Sequence, residues 1–371
     1  MSSMREQEVK RLALDEVHSL YGARFREEDG WRVPANYGDI ESEYASVRNR
    51  AGLIDLSLRG RIRVTGSEAV LFLNGLVTND MKTLDENRWM RAVFPNVQGR
   101  ILAAVRIART TDGFLIDTEN ATHDRVLKTI ERFTLAGDFK VTDLSDSTTM
   151  LTVQGKAAKE VVEQIAGEAS ALDQNGAREI QWRDQPLTLM RATHTAEDGF
   201  DLIVPTENAT ALWDTLVEAG AHPTGYDALE KLRIEAGVPR FGRDMDETNV
   251  VTETNLDDAI SYTKGCYLGQ EIIVRIKHRG HVAKKLIGLA FDNEVTLEPG
   301  ATVQSDTGAD VGRITSATFS PALRRTVALA YIKYEFLTAG TKVKTNSSAG
   351  QVNATVSELP FVRGSWYDEG K

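Results

Sequence analysis

The sequence predicts an α+β protein that ends in a small all-β unit. Three observations carry that prediction. Strand-like and helix-like segments mix up to about residue 284 without the regular βαβ rhythm of a doubly wound sheet. After Lys284 the segments 285–291, 311–315, 326–332 and 350–358 alternate or are valine-rich, with Gly300, Gly308, Gly340 and Gly350 at turn-like spacing. The length of 371 residues exceeds what one small core organises, so two or three domains are expected. The division reads as 1–284 and 285–371.

Taken in order, residues 5–20 read as a helix, with Val9, Leu12, Val17 and Leu20 at helical spacing. Residues 22–50 are polar and mixed, with Trp31, Pro34 and Tyr37. Arg61–Thr65 alternates as a strand does, and Ser67 is placed to cap a short helix. Arg88–Phe94, Ile101–Ile107 and Phe114–Asp117 read as strands, and Thr122–Leu135 as a helix. Leu151–Val153 reads as a strand and Ala157–Ile165 as a helix; Leu187–Ala192 and Phe200–Val204 are strands. Thr206 is placed to cap a helix through Ala219. Asp227–Ala236 is a helix ended by Gly237 and Pro239.

Composition narrows the function. Hydrophobic residues make up 41% and charged residues 26%, and the net charge is −10. That balance is ordinary for a globular protein and argues against nucleic-acid binding by the surface as a whole. An anion site must therefore be local, and the run Arg275, Lys277, His278, Arg279, His281, Lys284, Lys285 is the place for one. Cys266 is the only cysteine, so no disulfide can form within the chain, which fits a reducing compartment. The charged N-terminus has no apolar h-region, and no 18-residue apolar run occurs. A cytoplasmic location without membrane contact is expected. There is no Walker loop, no dinucleotide fingerprint and no nucleophile elbow.

Several residues can carry chemistry. Asp80, in Thr78-Asn79-Asp80, reads as an Asx-turn residue or as a carboxylate at a pocket mouth. Glu197, in Thr195-Ala196-Glu197-Asp198-Gly199, reads as a hairpin-turn residue or as an acceptor of two parallel hydrogen bonds. A pterin offers such a donor pair through its 2-amino group and N3–H. Arg233 suits the C-terminal end of its helix and also lies beside the apolar stripe, where it can point into a cleft. Cys266 reads as a buried structural thiol or as a reactive one beside cations. No metal site is expected, since no second cysteine exists and His278 and His281 lie in a run of cations.

Several motifs in order resemble the glycine-cleavage T-protein superfamily. They are Ala51–Ser57, Leu73–Asp80, Thr195–Phe200, Leu232–Gly237, Gly312–Ser316 with Ser320-Pro321, and Leu359–Val362. The resemblance implies two intertwined α+β subdomains around a folate pocket, plus a C-terminal β-barrel. It implies Asp80 as the catalytic aspartate, with Asn96, Glu197 and Arg233 at the folate. Lys264-Gly265-Cys266-Tyr267-Leu268-Gly269-Gln270-Glu271 is similar to the signature of the YgfZ-type branch. Two departures from the T-protein accompany it. Gln98–Ala104 lacks the paired aspartates that follow the T-protein's Gly-Gly, and His194 replaces the tyrosine before the pterin glutamate. Tyr262 is a further aromatic surface for the ligand.

The expectation drawn from that branch is a tetrahydrofolate-binding protein supporting iron–sulfur cluster assembly or repair, including that of tRNA-thiomethylating enzymes. Cys266 would then be its redox or partner-facing group, and iron–sulfur enzymes or assembly factors its partners. The alternative is a folate-dependent aminomethyl- or methyltransferase. The ligand under either is tetrahydrofolate or a one-carbon derivative, and the basic run 275–285 would guide a polyglutamate tail.

Overall fold

The computed structural model describes residues 9–132, 137–348 and 350–368. A mixed sheet and an antiparallel one, each backed by helices, pack face to face, and a closed barrel follows them. The six-stranded sheet runs in the order Ala177–Trp182, Gln185–Arg191, Gly199–Pro205, Thr148–Gln154, Gly52–Asp55, His222–Pro223. The five-stranded sheet runs Arg88–Pro95, Ile101–Thr110, Gly113–Thr118, Gly60–Thr65, Lys140–Asp143. All of the second sheet lies in sequence between Gly52–Asp55 and its antiparallel partner Thr148–Gln154, where Leu151 pairs Asp55. This insertion intertwines the two halves.

Alternation explains the faces. In the strand Ile101–Thr110, Ala103, Val105 and Ile107 enter the core covered by the helices Ala69–Leu76 and Asn120–Glu131. Trp89, Ala108 and Leu115 from this sheet meet Ile54, Met150, Met190 and Ile203 from the other, forming the shared layer between them. The helices Ala158–Ala166 and Ala209–Glu218 cover the far face of the six-stranded sheet around Phe200 and Trp213. The barrel closes in the order Lys284–Phe291, Arg325–Lys333, Asp310–Ser320, Thr302–Ser305, Lys342–Ser347, Gly350–Ser357. The α+β fold with a C-terminal barrel is therefore present.

Several local expectations differ. Within 5–20, Lys10–Arg11 is a short strand parallel to Trp31–Arg32, and the helix is Asp15–Leu20; residues 1–8 lie outside the described residues. The end of the helix expected to reach Leu135 also lies outside them. Ser67 gives its hydroxyl proton to Asp138 at 2.6 Å instead of capping the helix. Thr206 opens a short 3-10 turn and makes no cap bond. Residues 22–50 hold the strands Arg24–Glu28 and Trp31–Asn36 and the helix Ile40–Asn49, whose N-cap Asp39 accepts from the Glu41 amide. The basic run begins inside a helix, Gln270–Arg279.

After the barrel the chain returns to the first unit. The Phe361 amide donates to the Glu235 carbonyl, and the Trp366 amide to that of Ala196. Gly364 has to be glycine here: a Cβ would sit 2.4 Å from the Glu197 carboxyl carbon.

Candidate functional site

A cavity of about 590 Å³ opens where the two sheets, the barrel and the returning tail meet. Arg59, Arg106, Glu119 and His194 line one side, Lys285 and Ile287 the barrel side, and Trp366 and Tyr367 the tail side. Its volume lies in the range of small-molecule sites.

The charged wall is built from residues that interrupt apolar strands. Arg106 stands in Ile101–Thr110, Asp117 in Gly113–Thr118 and Asp201 in Gly199–Pro205. Register places Arg106 directly opposite Asp117. Arg106 Nε donates to Asp117 Oδ2 at 2.6 Å, and Nη1 crosses to the other sheet to donate to Asp201 Oδ2, also at 2.6 Å. Arg59 adds 2.7 and 3.0 Å bonds to the two oxygens of Asp117 and an ion pair to Glu119 at 3.0 Å. Buried charges persist only when paired in this way. Burial alone would push the Asp117 carboxyl up; the guanidinium groups of Arg106 and Arg59 outweigh it and hold it at about 2. Burial likewise opposes ionisation of Asp201, and Arg106 and His194 hold that carboxyl below the usual range.

His194 completes the chain of bonds. Its Nε2 lies 2.9 Å from Asp201 Oδ1, and its backbone amide donates to Gln154. Ala103 points into the core, while Ala104 lies on the cavity wall. The missing acid pair noted in the sequence therefore leaves one stretch of the wall apolar.

The other expected site residues are dispersed. Arg233 is buried beside a smaller cavity of about 80 Å³ that shares His194 with the larger one. It is bonded to Glu230, Asp244 and Ser316, tying helix, loop and barrel together. Glu197 lies beneath the tail: Oε1 accepts from Arg48 at 2.9 Å, and Oε2 from the amide and hydroxyl of Ser365, both at 2.7 Å. Its acceptor pair is thus filled by protein groups.

Asp80, Asn96, Tyr262 and Cys266 are not among the residues that line the cavity. Asp80 accepts the Lys82 amide at 3.0 Å, an Asx turn. Asn96 turns its own loop by accepting from the Gln98 and Arg100 amides. The Asn96 carbonyl packs so closely on Gly269 that a Cβ there would lie 2.3 Å from it, and Gly269 has φ +76°. Lys277 sits over the Tyr262 ring at 5.0 Å. Lys264 is buried and gives its three ammonium protons to the carbonyls of Asn74, Val77 and Asn79 at 2.6–2.8 Å. This anchors the loop to the end of the helix Ala69–Leu76. Burial pushes the Lys264 ammonium down to about 8, against the pull of Asp80. The next residue but one, Cys266, is exposed. Among the described residues no cluster can hold a metal ion, and no helix is long and apolar enough to cross a membrane.

Sequence reasoning missed Arg59, Arg106, Asp117, Glu119 and Asp201. A usable signal existed: a lone charge inside an otherwise apolar strand must find a buried partner.

The fold and the cavity define a class: an intertwined α+β body with a C-terminal barrel and a cavity where they meet. The chain belongs to the glycine-cleavage T-protein family. The GCVT N-terminal domain matches residues 14–264, and the glycine cleavage T-protein C-terminal barrel domain matches residues 284–363. An aminomethyltransferase of Thermotoga neapolitana is 31% identical, covering 96% of this chain and 99% of its own. One from Rubrobacter xylanophilus is 32% identical, covering 96% and 95%. The crystal structure of the glycine cleavage system aminomethyltransferase T from Bartonella henselae matches with a TM-score of 0.90 at 26% identity, covering 96% and 99%.

These relatives overturn the expectation of a YgfZ-type protein of iron–sulfur assembly or tRNA modification. The similarity to aminomethyltransferases runs nearly the whole length of both chains, whereas that expectation rested on the eight residues Lys264–Glu271.

Proposed function

We propose that the chain is a tetrahydrofolate-dependent one-carbon transferase of the aminomethyltransferase type, with the folate held in the central cavity. Tetrahydrofolate is what the GcvT aminomethyltransferases use, and the chain belongs to that family over both its parts. The observation that carries the reading is the cavity itself. It is lined by all the structural units at once, and the buried charges of its wall are already paired. A pterin can enter such a site without leaving an ion unpaired, because the cost of burying those charges is met within the protein.

In this reading His194 contacts the ligand directly and Arg233 supports the wall from behind. Lys285, the member of the basic run that lines the cavity, is where a polyglutamate tail meets positive charge. Residues 1–284 supply most of the wall, and 285–371 the barrel side and the tail.

Calorimetric titration of the full chain with tetrahydrofolate, followed by a transfer assay with an aminomethyl-loaded lipoyl carrier, tests the proposal. Micromolar binding with turnover supports it. No binding to tetrahydrofolate refutes it, and binding without turnover removes the transferase half.

A further inference from the structure

Two features stand outside this reading, the exposed Cys266 and the basic helix Gln270–Arg279; a third, the hydrogen-bonded row Arg106–Asp201–His194, belongs to the cavity wall itself. The row carries an inference, because its chemistry is fixed by geometry at each link. An ionised carboxylate can only accept hydrogen bonds. Asp201 already accepts from Arg106 Nη1, so His194 Nε2, 2.9 Å away, must be the protonated ring nitrogen. In the neutral imidazole the proton on one nitrogen leaves a lone pair on the other. Nδ1 makes no hydrogen bond among the described residues, and it is not sealed from solvent. His194 is shared by the large cavity and the small one beside it.

We propose that His194, held in one tautomer by Asp201 with Arg106 behind it, receives an N–H group of the bound ligand at Nδ1 and makes binding proton-linked. The proposal rests on the folate reading above, which supplies the ligand class: a reduced pterin is rich in N–H donors. The Ala104 wall contributes no acid to take such a proton, and Asp201 is committed to Arg106 and His194. The sign follows from the lone pair. Protonation of Nδ1 turns the acceptor into a donor that faces the ligand's donor, so affinity falls as the pH is lowered.

The charged neighbours keep their states while this happens. Asp201 and Arg106 face the imidazole across the sheet junction, and Arg59 and Glu119 face it from the turn and helix start beside the cavity. Glu230, Arg233, Arg240 and Tyr226 face it across the smaller cavity. Burial pushes the carboxyls of Asp201, Glu119 and Glu230 up, and their partners outweigh it and hold all three below the usual carboxylate range. The arginines are raised, and burial raises Tyr226.

The test is tetrahydrofolate affinity by calorimetry between about pH 5.5 and 8 under reducing conditions, on the full chain and on His194→Gln. Glutamine keeps an amide nitrogen for Asp201 and replaces the ring acceptor by an amide oxygen that does not titrate. Wild type should lose about tenfold in affinity toward the acid end, the worth of one hydrogen bond. His194→Gln should lose the pH dependence, because its amide oxygen does not take up a proton in this range. The same pH profile in both proteins overturns the role of His194 and leaves the folate reading standing. No binding by wild type at any pH overturns the folate reading itself. Should the variant fail to fold, nitrogen-15 spectra of wild type decide: the His194 Nδ1 resonance must move when tetrahydrofolate is added, and a stationary signal refutes the contact.

Discussion

The cavity wall and the outer face around Cys266 are both rich in charge, yet they are built oppositely. On the wall, Arg106, Asp117 and Asp201 are buried where the two sheets meet, with the half-buried Arg59 beside them, and each is bonded to a partner. On the outer face, Cys266 and much of the helix Gln270–Arg279 are exposed, while the buried Lys264 clasps carbonyls instead of a carboxylate. Pairing lets charge stay in a low-dielectric interior, where breaking one partner is expensive. Exposed charge is screened and costs little to remove. The contrast teaches that the wall is rigid machinery around a ligand, and that the outer face can change without disturbing it.

The sharpest way to break the contrast is Asp117→Asn. It takes one carboxylate partner from each of two buried guanidinium groups and should cost about 3–5 kcal/mol in urea unfolding. The same pair sets an acid response. Because the native carboxyl is held at about 2 and an unfolded one titrates near about 4, its stabilisation is complete above about pH 4. It should be lost as the pH falls from about 4 to 2, with the loss absent in Asp117→Asn. A variant as stable as wild type would show that the wall pairs are not what holds the sheets together.

Next in size is Lys264→Met, which leaves three carbonyls without their donor. It should cost about 1–3 kcal/mol and leave tetrahydrofolate affinity unchanged. A loss of affinity out of proportion to stability would tie the outer face to the cavity.

A smaller effect is expected at the cavity mouth. Pentaglutamyl tetrahydrofolate should bind a few-fold tighter than the monoglutamate at low salt, with the advantage fading beyond about 0.15 M. Lys285→Ala should reduce that advantage, and equal affinities at low salt would remove the tail contact.

The smallest effect belongs to Cys266. Its exposed thiol should alkylate in the native protein at the same rate with or without tetrahydrofolate, and Cys266→Ala should bind as wild type does. Protection by the ligand would join the two regions that the structure separates.

Much of the fold was legible because its signals are local. The alternation in Ile101–Ile107 and the glycine-spaced valine runs after Lys284 each report one strand and its faces. The short strands Thr302–Ser305 and Lys342–Ser347 were not, since few apolar residues mark them. The site was legible in the same uneven way. Asp80 and Glu197 drew attention because turns write compact motifs. Glu197 is occupied by Ser365, 168 positions away, a contact no motif reveals. Arg106, Asp117 and Asp201 come from three strands, and only register and sheet packing bring them together. His194 was noticed through its departure from a family tyrosine, but its partner Asp201 sits seven residues on, across a hairpin.

The returning tail has a consequence for biosynthesis. Arg59, near the beginning of the wall, leaves the ribosome long before Trp366 and Tyr367, which close it. The two sheets can pair their buried ions once residues 201 to 223 have emerged, but the pocket lacks a side until residue 367 has. Ligand capture is thereby one of the last events in the maturation of a nascent chain.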